Sequence, residues 1–179
     1  VGSGFVEVWG PVDALPAEQA AAFKKYKALL SKGALAGANP GHGREVFEKA
    51  CSSCHKLYGK GGLIGPDITG TNRTNIDYLL GNILTPSAII QDAYRMQMVL
   101  MRDGRLYSGI PAVESERVLE LRVANQEKPV ALAKSQIASR EIAPVSMMPE
   151  GLLANLSDAE VLDLVAYLQK LKQVPLPKK

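Results

Sequence analysis

Cys51-Ser52-Ser53-Cys54-His55 carries three of the four cysteine and histidine residues in a chain of 179, His42 being the fourth. Two thiols three positions apart on a helical turn lie on one side, and the imidazole of the next residue follows them. Such a pair can reach both vinyl groups along one porphyrin edge, with the histidine meeting the iron as its proximal ligand. Cys-x-x-Cys-His is the attachment signature of c-type haem. Two other chemistries compete for the same residues. A structural zinc site takes four Cys or His ligands, and only His42 remains to complete one. A thioredoxin-type redox pair puts its first cysteine at the N-terminus of a helix that follows a strand, whereas residues 43–50 have the pattern of a helix body. The leading reading is one haem c, held covalently by Cys51 and Cys54, with His55 on the metal.

Upstream, Gly43, Val46, Phe47 and Ala50 share one face at helical spacing, and Pro40-Gly41 marks the entry. Downstream, the glycine-rich run from Gly61 to Gly70 can press its backbone against a flat ligand where a side chain would not fit. The pattern Gly-x-x-x-Phe-x-x-x-Cys-x-x-Cys-His resembles the first helix of class I cytochromes c. That resemblance implies a mainly α, class I cytochrome c-like helical haem fold, in which the glycine lets the C-terminal helix cross closely. It also implies that Pro66 offers its carbonyl to the second nitrogen of His55, fixing the tautomer and making Nε2 a better donor to iron. The family commonly presents its axial methionine before a proline in the loop ahead of the last helix. Met148, which precedes Pro149, is thus the expected sixth ligand, with Met147 the alternative. Met96, Met98 and Met101 fall in a strand-like run and read as core filler; His42 flanks a helix start and reads as an exposed residue.

The closing helix announces itself through Ser157-Asp158-Ala159-Glu160, a capping arrangement. Val161, Leu164, Val165, Leu168 and Leu171 then form an apolar face, and Pro175 stops the helix. Tyr167 is expected near Phe47 and Gly43. Between the two ends, residues 76–84 read as a helix interrupted by Gly81, and Thr85-Pro86-Ser87 as the start of another running through Ala93. From Tyr94 the period changes to two. Met96, Met98 and Leu100 alternate with more polar neighbours, Asp103-Gly104 is a hairpin signal, and Leu106, Ser108 and Ile110 follow. Glu114-Ser115-Glu116 turns the chain, Leu119, Leu121 and Val123 alternate again, and Val130 and Leu132 supply a fourth short strand. Residues 94 to about 135 are therefore expected to form an antiparallel meander inserted into the cytochrome, giving α+β overall. Its apolar face must cover the haem fold, itself, or a second copy in a homodimer.

In combination, Gly-Arg-Glu-Val-Phe-Glu-Lys, Cys-x-x-Cys-His-Lys, Gly-Pro-Asp-Ile-Thr-Gly, Tyr78-Leu79-Leu80, Asp103-Gly104-Arg105 and Met148-Pro149-Glu150-Gly151-Leu152 resemble a narrower family. This is the haem-binding domain near the C-terminus of large planctomycete and verrucomicrobial proteins, often behind a propeller or dehydrogenase-like region. The resemblance covers roughly residues 40–173. It implies a single covalent haem, a periplasmic or otherwise extracytoplasmic location, and electron relay to redox partner proteins or a fused dehydrogenase domain. Residues 1–39 fit that module poorly. Pro16-Ala17-Glu18-Gln19 opens a helix through Leu30, and residues 33–41 form a Gly/Ala/Pro linker, so this segment is expected to be the tail of a preceding domain; residues 174–179 read as a C-terminal tail. The start, Val1-Gly2-Ser3-Gly4-Phe5, lacks an initiator Met, a basic region and an apolar run, and reads as a processed or excised start. Arg73, with its planar fork, is a candidate partner for a haem propionate or else a solvated surface arginine; Asn72 and Tyr78 are further candidates for the propionate.

Composition narrows the function. Hydrophobic residues make up 46% and charged residues 22%, as in soluble globular domains. No apolar run approaches the roughly 18 residues of a membrane span. The net charge of +3 comes from scattered residues, which disfavours nucleic acid as a partner. With His55 and Met148 both on the iron, no coordination position is left for a substrate, so an electron carrier is expected and not an enzyme. A five-coordinate or Met-labile sensor or enzyme is the competing class. No second histidine, acidic pair or arginine near the methionine loop stands ready for acid–base work.

Overall fold

Apolar residues at helical spacing build one core, and those at strand spacing build another. The structure, a computed structural model, describes residues 15–177. Helices α1 (Ala17–Leu29), α2 (Lys32–Ala36), α3 (Pro40–Ala50) and α4 (Ile76–Leu84) come first. Strands β1 (Gln97–Met101), β2 (Leu106–Glu114), β3 (Val118–Arg122), β4 (Val130–Ala133) and β5 (Ile137–Ile142) follow, and α5 (Asp158–Leu168) comes last. The Val1–Phe5 segment and the last two residues of the expected tail lie outside the described residues.

The helical core centres on the crossing of α3 with α5. Asn39 caps α3, its side-chain oxygen accepting from the backbone of Gly41 at 3.0 Å and His42 at 3.3 Å, and Pro40 occupies the first turn, where no amide partner is needed. The capping box at the start of α5 is reciprocal: Glu160 N–H donates to the Ser157 hydroxyl, and Ser157 N–H to the Glu160 carboxylate. At Gly43 a Cβ would lie 1.8 Å from the Asp163 carbonyl oxygen, so only glycine lets the two backbones meet there. Phe47 and Tyr167 then pack with ring centroids 5.7 Å apart. Phe23, Tyr26 and Leu30, from the N-terminal segment, are buried in this same core together with Val46 and Leu80.

The mainly α, class I cytochrome c-like fold expected above is overturned. The described residues contain five helices and a five-stranded antiparallel sheet, 36% helix and 19% strand, an α+β architecture. The strands lie in the order β4-β3-β2-β1-β5. The first four succeed one another as neighbours, and β5 returns along the free edge of β1, pairing Gln97 with Ile142 and Val99 with Arg140. The expected four strands ending near residue 135 thus become five ending at Ile142. Apart from partly buried Ile137, β5 exposes every side chain. Nothing in its sequence alternates, because its backbone pairing with β1 and the side chain of Arg140 hold it in place of a buried apolar face.

Val99, Met101, Leu119, Leu121 and Leu132 converge in a second core made only of strand residues. The apolar face is covered by the sheet itself, and homodimerisation is unsupported. Across the outside, Glu114 on β2 takes a bidentate pair from Arg140 on β5 at 2.8 and 2.9 Å and a 2.6 Å contact from Lys134. The C-terminal end of β2 therefore reaches the far edge strand, and the sheet is rolled.

The helix expected from Thr85 to Ala93 is instead a turn followed by a short 3-10 helix, Asp92–Tyr94. Thr85, expected to open a helix, donates its hydroxyl back to the Gly81 carbonyl at 2.7 Å and ends α4 instead. Gly81 does not interrupt α4; it is buried within it.

Candidate functional site

Helix α3 ends at Ala50, and the Cys-x-x-Cys-His run forms one further turn hung on a single carbonyl. Cys51 O accepts from Cys54 N at 3.1 Å and from His55 N at 2.9 Å, which brings both thiols and the imidazole onto the same turn. Both cysteines are free thiols. Burial, reinforced by the neighbouring Cys54, pushes the Cys51 thiol up to about 12. A thioredoxin-type nucleophile needs the opposite shift, towards thiolate. The zinc alternative also lacks support: among the described residues no three His, Cys, Asp or Glu side chains converge as a metal cage. His42 is engaged elsewhere, its Nδ1 lying 2.8 Å from Asp163 on α5.

The glycine-rich loop folds back over this turn. Gly62 N–H donates to Ser52 O and Gly65 N–H to Cys54 O, at 2.8 and 2.9 Å. A Cβ on Gly65 would lie 2.5 Å from Cε1 of His55, so the loop backbone lies directly against the imidazole. Tyr58, at φ 51°, and Gly59, at φ 79°, supply the left-handed bend that starts the return. The loop then delivers the Pro66 carbonyl oxygen to within 3.0 Å of His55 Nδ1. A proton held on Nδ1 leaves Nε2 as a free lone pair. Two thiols on one turn, an imidazole of fixed tautomer and a backbone pressed on its ring fit a c-type haem.

Met147 and Met148 are half-buried in the loop between β5 and α5. Met148 N–H donates to the Ser146 hydroxyl at 3.1 Å, and Ser146 N–H to the Ser87 hydroxyl at 3.1 Å. Met101 belongs to the sheet core, and Met98 is half-buried on β1.

Arg73 is 5% exposed. It is therefore not the solvated arginine of the alternative reading. Its fork grips the end of α5: Nη1 donates to the Leu168 carbonyl and to Lys170 O at 2.9 Å, and Nη2 to Thr69 O at 2.8 Å. The guanidinium lies 5.4 Å over the ring of Tyr58, whose hydroxyl also donates to Lys170 O. Only Nε is left without a partner among the described residues. Asn72 lines a cleft of about 230 Å³ beside Arg73, which none of the cysteine, His55 or methionine side chains borders. Tyr78 sits half-buried in the first turn of α4. Sequence reasoning passed over Tyr58, Ser87 and Ser146. Of these, Ser146 alone leaves a local signal, a hydroxyl two residues before a methionine amide.

Residues 38–104 match the family model described as cytochrome c oxidase, cbb3-type, subunit III. The matched stretch runs from the entry of α3 through the Cys-His turn and the glycine loop to the β1–β2 turn. It supports a c-type cytochrome domain, and with it covalent haem c and electron transfer. No curated protein sequence matches the chain. No helix among the described residues is long and apolar enough to cross a membrane.

Proposed function

We propose that the protein is a one-electron carrier with a single haem c, bound through thioethers to Cys51 and Cys54 and ligated by His55 and Met148. The observation that carries this reading is the 3.0 Å contact of His55 Nδ1 with the Pro66 carbonyl, on the same turn as two free thiols. When bound, the haem supplies an Fe(III)/Fe(II) couple. The chain's own residues do the rest. Pro66 keeps the proton on Nδ1 and makes the imidazole a stronger donor. Gly65 fixes the ring plane from one side. The Met148 thioether would favour the reduced metal, and with His55 and Met148 both engaged the chain would offer a substrate no ligand position, which supports a carrier. Thioether formation needs reduced thiols and an extracytoplasmic maturation system, which places the protein in the periplasm or an equivalent compartment. Residues 40–173 carry the haem-binding elements, with α1 packed into the same core, and the electrons pass to redox partner proteins or to a dehydrogenase-like domain of a larger protein.

Visible spectra of the purified holoprotein test this. Sharp low-spin bands and a far-red Met-to-iron charge-transfer band are expected in the ferric state. Met148→Ala removes that band and Met147→Ala spares it; the reverse moves the ligand by one residue. A high-spin ferric spectrum, or a mass equal to the bare polypeptide, overturns the reading.

A further inference from the structure

The loop that carries Met148 is short of the means to hold itself. Pro144 and Pro149 have no amide proton to give. The loop is anchored before them where Ala143 N–H reaches Met96 O at 2.9 Å, and it resumes regular structure after the left-handed Gly151. Between those points, two hydrogen bonds among the described residues tie its backbone, and they run in series. Ser146 accepts from Met148 N–H with its hydroxyl and donates its own N–H to Ser87, 59 positions earlier in the chain. Ser87 stands on firm ground. It lies in the turn that ends α4, where Ala88 N–H donates to Thr85 O and buried Thr85 donates to Gly81 O.

We infer that Ser87 and Ser146 form a latch that holds the Met148 loop closed on the haem and sets how readily the iron opens to small external ligands. The inference rests on Met148 being the sixth ligand. An incoming ligand must displace the Met148 thioether, and that thioether can withdraw only if the loop moves. Loop movement stretches the Ser146–Met148 turn or pulls Ser146 from Ser87. Both serines are positioning residues, one acting on the loop from within and the other from the helical core. The latch keeps a carrier from turning into a ligand-binding site, and its loosening would be the simplest route between the two.

The test compares the wild-type ferric holoprotein with Ser87→Ala, Ser146→Ala, the double alanine variant, Ser87→Thr and Ser146→Thr. Each is followed by the rate of potassium cyanide binding, the amplitude of the Met-to-iron band and the denaturant midpoint. Each single alanine variant is expected to bind cyanide about fivefold faster, the factor that corresponds to one net hydrogen bond of about 1 kcal/mol. Because the bonds lie in series, the double variant should be no faster than about the single ones. The threonine variants, which keep the hydroxyl, return the wild-type rate. Wild-type rates in both alanine variants overturn the latch, as does acceleration that threonine does not reverse. A wild-type protein without the charge-transfer band, or Met148→Ala binding cyanide at the wild-type rate, overturns the ligand assignment itself.

Discussion

Gly43→Ala isolates the contact on which the helical core turns. The added methyl carbon would stand 1.8 Å from the Asp163 carbonyl oxygen, 2.4 Å from its carbon and 2.9 Å from Leu164 N. All three are backbone atoms, so no rotamer change relieves the clash. Restoring ordinary contact requires α3 and α5 to separate by roughly 1.5 Å, and a gap of even 0.5–1 Å already forfeits about a quarter to a half of each dispersion contact. Phe47, Val46, Leu164 and Tyr167 would all feel it. The overpacking penalty is about 3 kcal/mol, the upper part of the usual range. Alanine returns about 1 kcal/mol as the better helix former, leaving a net loss of about 2 kcal/mol. Gly33→Ala, in α2, is the matched control, since nothing lies within 4 Å of its Cβ position. It should gain about 0.5 kcal/mol. Guanidinium unfolding of the two holoprotein variants, read as midpoints at constant slope, gives both numbers. A Gly43→Ala midpoint equal to or above wild type would refute the steric argument, because the substitution would then have behaved as it does in open solvent.

Three further outcomes follow from the site and the sheet. Hydrogen bonds from Arg140, then from Lys134, hold the Glu114 carboxyl at about 2, below its ordinary 4.5. A depressed folded-state value gives stability that is complete above the ordinary value and lost as pH falls through the lower one. The excess of wild type over Glu114→Gln in urea titrations should therefore shrink between 4.5 and 2; a constant difference across that window contradicts the pairing. Arg73→Met should lower stability by about 3 kcal/mol through uncapped carbonyls at the end of α5 while leaving the haem midpoint potential in place. A shifted potential at unchanged stability would return Arg73 to the propionate. Gly65→Ala should push the loop off the His55 ring and weaken the bond to Pro66; the imidazole becomes a weaker donor, the oxidised state loses stabilisation, and the potential rises by about 40 mV, on the scale of one hydrogen bond of about 1 kcal/mol. No movement at all in the potential or the charge-transfer band would show that the ring yields freely.

The site was more legible in the sequence than the architecture around it. The close crossing at Gly43 was implied by the family resemblance, whereas the Cys51-to-His55 motif and the cap of the last helix, Ser157 three before Glu160, are local patterns. Each depends on spacing within one or two turns, which the chain displays directly. What stayed hidden depends on partners distant in sequence. The pairing of β5 beside β1 leaves no mark on exposed side chains between Ile137 and Ile142. Thr85 could cap forward or backward, and only the buried Gly81 carbonyl decides which. Arg73 pointed to a carboxylate because its fork suits one, yet that fork equally suits the converging carbonyls of a helix end, and those carbonyls come from residues nearly a hundred positions away.

The pairing of Gln97 with Ile142 has a last consequence. Chain enters and leaves the sheet through adjacent strands, so the whole rolled unit stands on a neck two strands wide. Its interior shares no residue with the helical core. Such a unit can be shortened or lengthened at its turns while that neck stays closed. The redox centre and the appendage are free to diverge at separate rates.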